Sequence, residues 1–211
     1  MNECRPTMRD LLVLVADKDA EQGLTSLLKR HQDLRIRPIT YRVDRHPRHD
    51  AGVFKEAAAY LRLFHKQFQY ALAILDFEGC GRETEQPDSV CDDLQKRLNR
   101  AGLANRSRVI VIEPELEVWA WAGSRTLDVG IGWAGRQPSL HDWLQSNEFW
   151  PQGVSKPGPP KKALGVALRH VQRQTSSSLF RKLGATIDFS RCTDPAFQLL
   201  LATLREWFPP A

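Results

Sequence analysis

Short unbroken apolar runs alternate along the chain with segments of helical spacing. Residues 11–16 read LLVLVA, the pattern of a strand buried on both faces. YALAILDF at 70–77 and RVIVIE at 108–113 repeat it, which predicts three central strands. Between them, AEQGLTSLLKRH sets Leu24, Leu27 and Leu28 at helical spacing and ends in basic residues, where the helix dipole favours them. The stretch 53–68 places Phe54, Ala58, Leu61, Phe64 or His65, and Phe68 on one helical face, and CDDLQKRLNRAG predicts a helix ending near Gly102. LRIRPITYRV alternates but contains Pro38, so it reads as an edge or irregular strand. Strands separated by helices predict an α/β fold with a largely parallel central sheet.

Beyond residue 129 the pattern changes. We divide the chain into an α/β core over 1–129, a Trp/Pro-rich insertion over 130–162, and a helical C-terminal part over 163–211 that packs on the core. The insertion carries Trp133, Trp143 and Trp150 and five prolines, with Ser139 and Asp142 spaced as a capping box for a short helix. KPGPPKK is a stiff loop. KALGVALRHVQRQ, SLFRKLGATI and DPAFQLLLATLREWF then read as helices, the last opened by Asp194 as N-cap and Pro195 at the first helical position.

Charge adds a partner class. Thirty Lys and Arg stand against 25 Asp and Glu, and 21 of the thirty are Arg, which forks phosphate oxygens and stacks on bases. The choice leans towards a nucleic-acid partner, although high-GC genomes also enrich Arg. The four cysteines, Cys4, Cys80, Cys91 and Cys192, have no C-x-x-C spacing, which excludes a thiolate zinc framework and fits a reducing cytoplasm. With no leader pattern and no apolar run of spanning length, we expect a soluble cytoplasmic protein without a membrane partner. Walker A, G-x-S-x-G and G-x-G-x-x-G motifs are absent, setting those chemistries aside.

Acids gather where strands are expected to end. In an open α/β sheet, ligands bind outside the carboxyl ends of the strands, where Asp17, Asp19, Asp76, Glu78 and Glu113 all project. Their repulsion calls for Mg²⁺ or Mn²⁺, or for Lys and Arg side chains. In AILDFEGCGRE, Asp76 and Glu78 alternate to one side of the strand, with Phe77 opposite and Gly79 following. In PELEVWAWAG, Pro114 ends the strand and starts a helix at Glu115, which leaves Glu115 and Glu117 in its first turn. Candidate catalytic acids are thus Asp76, Glu78, Asp17 and Glu117; candidate metal ligands are Asp76, Glu78, Asp19, Glu113 and Glu115. Trp119 and Trp121 read as core. His46 to Asp50 form a solvated basic loop which, with Arg42, Arg45 and Arg48, suits phosphate contact. Lys162, Arg169 and Arg173 form a basic helical stripe able to track a nucleic-acid backbone.

LVADKDAE, LDFEG and PELEVWAWAG, followed by PPKKAL and CTDPAFQLLL, resemble the TOPRIM-fold proteins of bacterial phage-defence and restriction loci, of the RloB and OLD-nuclease kind. The resemblance spans most of the chain. It implies Mg²⁺-dependent cleavage or transfer at phosphodiesters, with other proteins of the defence locus as partners. Two positions depart from the pattern: Ala16 stands where the family's first-strand glutamate is expected, and D-x-E replaces D-x-D. A non-catalytic subunit that binds a partner protein or nucleic acid is the alternative, motivated by the tryptophans of the insertion.

Overall fold

The computed structural model describes residues 8–121, 124–186, 188 and 192–210, leaving aside the side chains of 124–126; Cys4 and the end of the WAWAG stretch lie outside the described residues. Its centre is a four-stranded, all-parallel sheet: β1 (Arg9–Val15), β2 (Tyr41–Arg45), β3 (Phe68–Asp76) and β4 (Ser107–Ile112), in the order β2-β1-β3-β4. All four strands therefore release their chains at the same edge. β1 and β3 are the inner pair, with Leu11 opposite Tyr70 and Leu14 opposite Ala73. The unbroken apolar runs are explained by helices on both faces, which leave these strands no solvated side.

Strand alternation divides the core in two. Leu11, Val13 and Val15 of β1, Leu72 and Ile74 of β3, and Ile110 and Ile112 of β4 face one layer. That layer is built from α1 (Lys18–Leu28), the one-turn α2 (His31–Leu34), α5 (Glu117–Trp121), α6 (Ser124–Ile131), α7 (Leu140–Ser146), α8 (Pro160–His170), α9 (Ser177–Thr186) and α10 (Pro195–Trp207). Leu12, Leu14 and Ala16, with Ala71, Ala73 and Leu75, face the opposite layer of α3 (His49–Arg62) and α4 (Pro87–Leu98). The expected α/β architecture, with a helical C-terminal region, is present. The C-terminal helices complete the first layer: Ala163, Phe180 and Phe197 belong to the same apolar cluster as β1.

Close packing there depends on glycine. A Cβ on Gly184 of α9 would stand 2.9 Å from the Gly23 carbonyl carbon of α1, and closer still to its oxygen. The two backbones touch, so an alanine at 184 cannot be accommodated by moving a flexible side chain.

Several element boundaries differ from the sequence expectation. LRIRPITYRV is strand only from Tyr41; its first residues close α2, and Arg35 there adopts a left-handed conformation (φ 59°). β2 is an edge strand, as Pro38 suggested. The helix expected over 53–68 runs instead from His49 to Arg62, and Phe68 opens β3, because pairing with Arg9 of β1 outweighs helical spacing at that point. α4 starts at Pro87, four residues before CDDLQ, and gives way to a π-helical turn (Asn99–Leu103) that contains Gly102 at φ 86°. No described helix is long and apolar enough to cross a membrane.

A candidate acidic site at the carboxyl edge of the sheet

Every strand delivers a carboxylate to the shared edge. After β1, Asp17 serves as N-cap of α1, its Oδ1 accepting the Ala20 amide at 2.9 Å. Asp76 is the last residue of β3 and follows Leu72 and Ile74 on the α1-side face, while Phe77 packs against the opposite layer. The Asp76 amide donates to Asp50 Oδ1 at 2.7 Å, which ties the start of α3 to the end of β3. Past β4 the chain carries Glu115 and Glu117, both buried, into α5. Helices on opposite faces leave β1 and β3 in opposite directions, so Asp17 and Asp76 flank the crevice at the topological switch point.

The electrostatics mark this crevice as charge-rich and under-compensated. Burial pushes Asp76 well above the usual carboxylate range, reinforced by the charges of Asp50, Glu117 and Asp17, while the Leu116 amide opposes. Burial likewise raises Asp50, with Asp17 adding to it, and raises Asp19, again with help from Asp17. Glu117 is pushed up to about 7, first by burial and then by Glu115 and Asp17, against the pull of Lys161. Lys161 itself is raised: its acidic neighbours Glu117, Glu115 and Asp76 outweigh its own desolvation.

Glu115 has a different role from its neighbour. Its Oε1 accepts the Lys161 backbone amide at 3.0 Å, and its Oε2 lies 3.3 Å from the Lys161 ammonium. It therefore caps α8, where first-turn amides lack partners, and does not start its own helix, which begins two residues later at Glu117. Glu78 and Glu113 are exposed just beyond the last residues of β3 and β4.

The structure thus gathers Asp17, Asp19, Asp76, Glu115 and Glu117 of the sequence candidates, and adds Asp50 and Lys161. Asp50 was assigned to a solvated loop, yet His46 is buried and His49 and Asp50 form the first turn of α3. The Arg48 amide donates to His46 Nδ1 at 3.2 Å, so the ring proton sits on Nε2, 2.9 Å from Glu56 Oε2. Burial and Arg48 lower the His46 pKa, in keeping with a neutral ring. Ala16 faces α3 by strand alternation, and Asp50 reaches the same edge from the start of α3. A cleft of about 440 Å³, lined by Ala16, Asp17, Asp19, His46 and His49, opens beside it. The sequence signal for Lys161 was its place in KPGPPKK; the adjacent Lys162 instead lies 5.8 Å from the Phe149 ring.

Each arginine expected to contact phosphate has an acidic partner, though Arg45 and Arg48 stay largely exposed. Arg42 pairs with Asp44 at 2.8 Å and lies over Phe64; Arg45 pairs with Glu21 at 2.8 Å; Arg48 pairs with Glu56. Lys162 and Arg169 are exposed on α8, whereas Arg173 lies past its end and donates to the Gly130 carbonyl. The basic stripe therefore does not continue along one helix.

Chemically, the crevice can hold and move a proton beside the Lys161 ammonium. Oxygen-only donors with excess negative charge suit a hard divalent cation. Their spacing does not: among the described residues, no group of three or more His, Cys, Asp or Glu is placed to hold a metal ion. The Mg²⁺ or Mn²⁺ site implied by the resemblance is not pre-assembled.

Fold and site together define a doubly wound α/β protein with an acidic crevice at its switch point. No family model matches the sequence, and no curated protein or solved structure matches it either.

Proposed function

We propose that the protein is a TOPRIM-like nucleic-acid-processing component of a bacterial anti-phage defence system, acting on phosphodiesters at the carboxyl edge of its sheet. The observation that carries the chemistry is the half-buried Asp76 together with the buried Glu117, beside Lys161. Glu117, with a pKa of about 7, is poised to accept a proton from an attacking water near neutral pH. Burial and the neighbouring Asp50 and Glu117 charges hold the Asp76 carboxyl above the usual range, which favours its protonated form. The Lys161 ammonium would oppose the negative charge that develops on a phosphoryl oxygen. The defence context and the Mg²⁺ requirement rest on the likeness of LDFEG, PELEVWAWAG and CTDPAFQLLL to the family pattern.

A nuclease assay on single- and double-stranded DNA and RNA, with Mg²⁺, Mn²⁺ or EDTA, tests this reading. Cleavage by the wild type and its loss in Asp76→Ala and Glu117→Gln are the expected results; equal activity in all three proteins would refute the site. The departure at Ala16 favours a second reading, in which the chain binds nucleic acid or a partner of the defence locus without cutting. Retained nucleic-acid binding with no cleavage under any metal condition would select it. The tryptophans give that reading no support, since Trp133 and Trp150 are buried and Trp143 is half-buried.

A further inference from the structure

A second cavity is lined in part by Val118 and Trp121 of α5 and shares no lining residue with the cleft beside Ala16. It measures about 470 Å³, within the ~300–1,000 Å³ typical of small-molecule sites, and its walls come from α5, α6, α7 and the loops before α8 and α10. One wall is aromatic. Trp121 and Trp150 meet edge to face with centroids 5.5 Å apart, and His141 packs edge-on against Trp150 at 4.8 Å. Both indole N–H groups are already used, Trp121 donating to the Pro160 carbonyl and Trp150 to the Val154 carbonyl. Both indoles are also buried, so they back the wall, and the ring left open to a ligand is the exposed imidazole of His141.

The polar features are sparse. Asp128 lines the cavity from α6, half-buried and without a hydrogen-bond or ion-pair partner for its carboxylate among the described residues, and burial raises its pKa. A half-buried carboxylate without a partner is an acceptor waiting for a donor. Lys156 lines the cavity from another side. Its ammonium gives one hydrogen bond to Asp194 Oδ2 at 2.9 Å and keeps two further donors. Asp194 is otherwise occupied by the Trp119 indole and the first amides of α10, so it holds Lys156 in place without competing for ligand.

An open imidazole face, an unpaired acceptor and a cationic donor match a flat heteroaromatic ring that carries an amino group and a carbonyl or ring nitrogen on its edge. We propose that this cavity is a nucleobase pocket, in which Asp128 accepts from the amino edge of a guanine, cytosine or adenine and Lys156 donates to the ring's acceptor. Uracil fits poorly, because its one ring N–H is flanked by two carbonyls that a carboxylate would repel. The proposal rests on the nucleic-acid reading above and deepens it by naming the part of the substrate that is held. The connection is structural: Glu117 begins α5, Val118 and Trp121 of the same helix line the pocket, and the carbonyl that receives the Trp121 indole belongs to the residue preceding Lys161.

Free nucleosides test the pocket without requiring cleavage. Guanosine, cytidine, adenosine and uridine are titrated into the full-length chain and followed by calorimetry and by ligand-detected NMR, against wild type, Asp128→Asn and Asp76→Ala. At least one amino-bearing nucleoside should bind, uridine at least tenfold more weakly. Asp128→Asn should weaken that binding tenfold or more at an unchanged Tm, while Asp76→Ala should leave it intact. No binding at millimolar nucleoside, equal binding by wild type and Asp128→Asn, or preference for uridine would overturn the proposal. Nucleoside binding that survives in a protein with no nuclease activity upholds the pocket while the acidic-site reading fails.

Discussion

Replacing Glu117 by glutamine should make the metal-free protein more stable, and the gain should depend on pH. Glu117 is 4% exposed, and its pKa rises from an ordinary 4.5 to about 7. A raised acid pKa means that the folded state holds the proton more tightly than the unfolded chain does. The resulting stability is complete below about 4.5 and is lost as pH climbs through about 7. At ~1.4 kcal/mol per pH unit, the ionised side chain costs the fold about 3 kcal/mol at pH 8 and about 1 kcal/mol at pH 5. Glutamine carries no charge at either pH, though its buried amide has a desolvation cost of its own that does not vary with pH. The advantage of the variant over wild type should therefore grow by about 2–3 kcal/mol between pH 5 and pH 8. Urea denaturation in EDTA, followed by circular dichroism at both pH values, measures it. Parallel pH profiles for the two proteins would show that Glu117 does not carry the charge frustration assigned to it. A loss of cleavage in the stabilised variant would also place the acidic crevice among sites that trade stability for function.

Two further substitutions probe the supports of the site. Gly52→Ala would set a Cβ 2.8 Å from Arg48 Cβ and closer still to the His46 ring, so it should cost about 1–3 kcal/mol and displace the turn that delivers Asp50. A lowered Tm together with weakened cleavage is expected; an unchanged Tm would show that the His46 turn yields freely. Asp194→Ala removes the acceptor for the Ala196 and Phe197 amides, the buried Trp119 indole and Lys156. It should cost about 2–4 kcal/mol by thermal or urea unfolding, with Asp194→Asn losing less because one oxygen acceptor remains. Equal losses in the two variants would mean that charge, and not capping, is what Asp194 contributes.

Much of the fold was legible in the order of apolar runs. LLVLVA, YALAILDF and RVIVIE are central strands because a parallel strand covered on both faces has no solvated side, and that condition appears directly as an unbroken run. Ser139 and Asp194 were readable as caps because capping is a contact within one turn. Phe68 misled, since its helical spacing from Leu61 and Phe64 is a local signal and its strand pairing with Arg9 is not.

The site was legible only in part, and the limit is one of range. Sequence alone determined that acids follow apolar strands, and parallel strands must then bring those acids to one edge; Asp17, Asp76 and Glu117 follow from that. Tertiary structure decided which of them matter together. Asp50 reaches the end of β3 only because α3 crosses the opposite face of the sheet, and Lys161 meets Glu115 only because α8 returns to cover α5. Burial, which turns Glu117 from an ordinary surface acid into one that titrates near neutrality, is a property of the whole packed layer and of no single motif. For the same reason three arginines that looked like phosphate contacts are paired with Asp44, Glu21 and Glu56. A charge's partner is set by what folding brings within a few ångströms, and residue type gives only its sign.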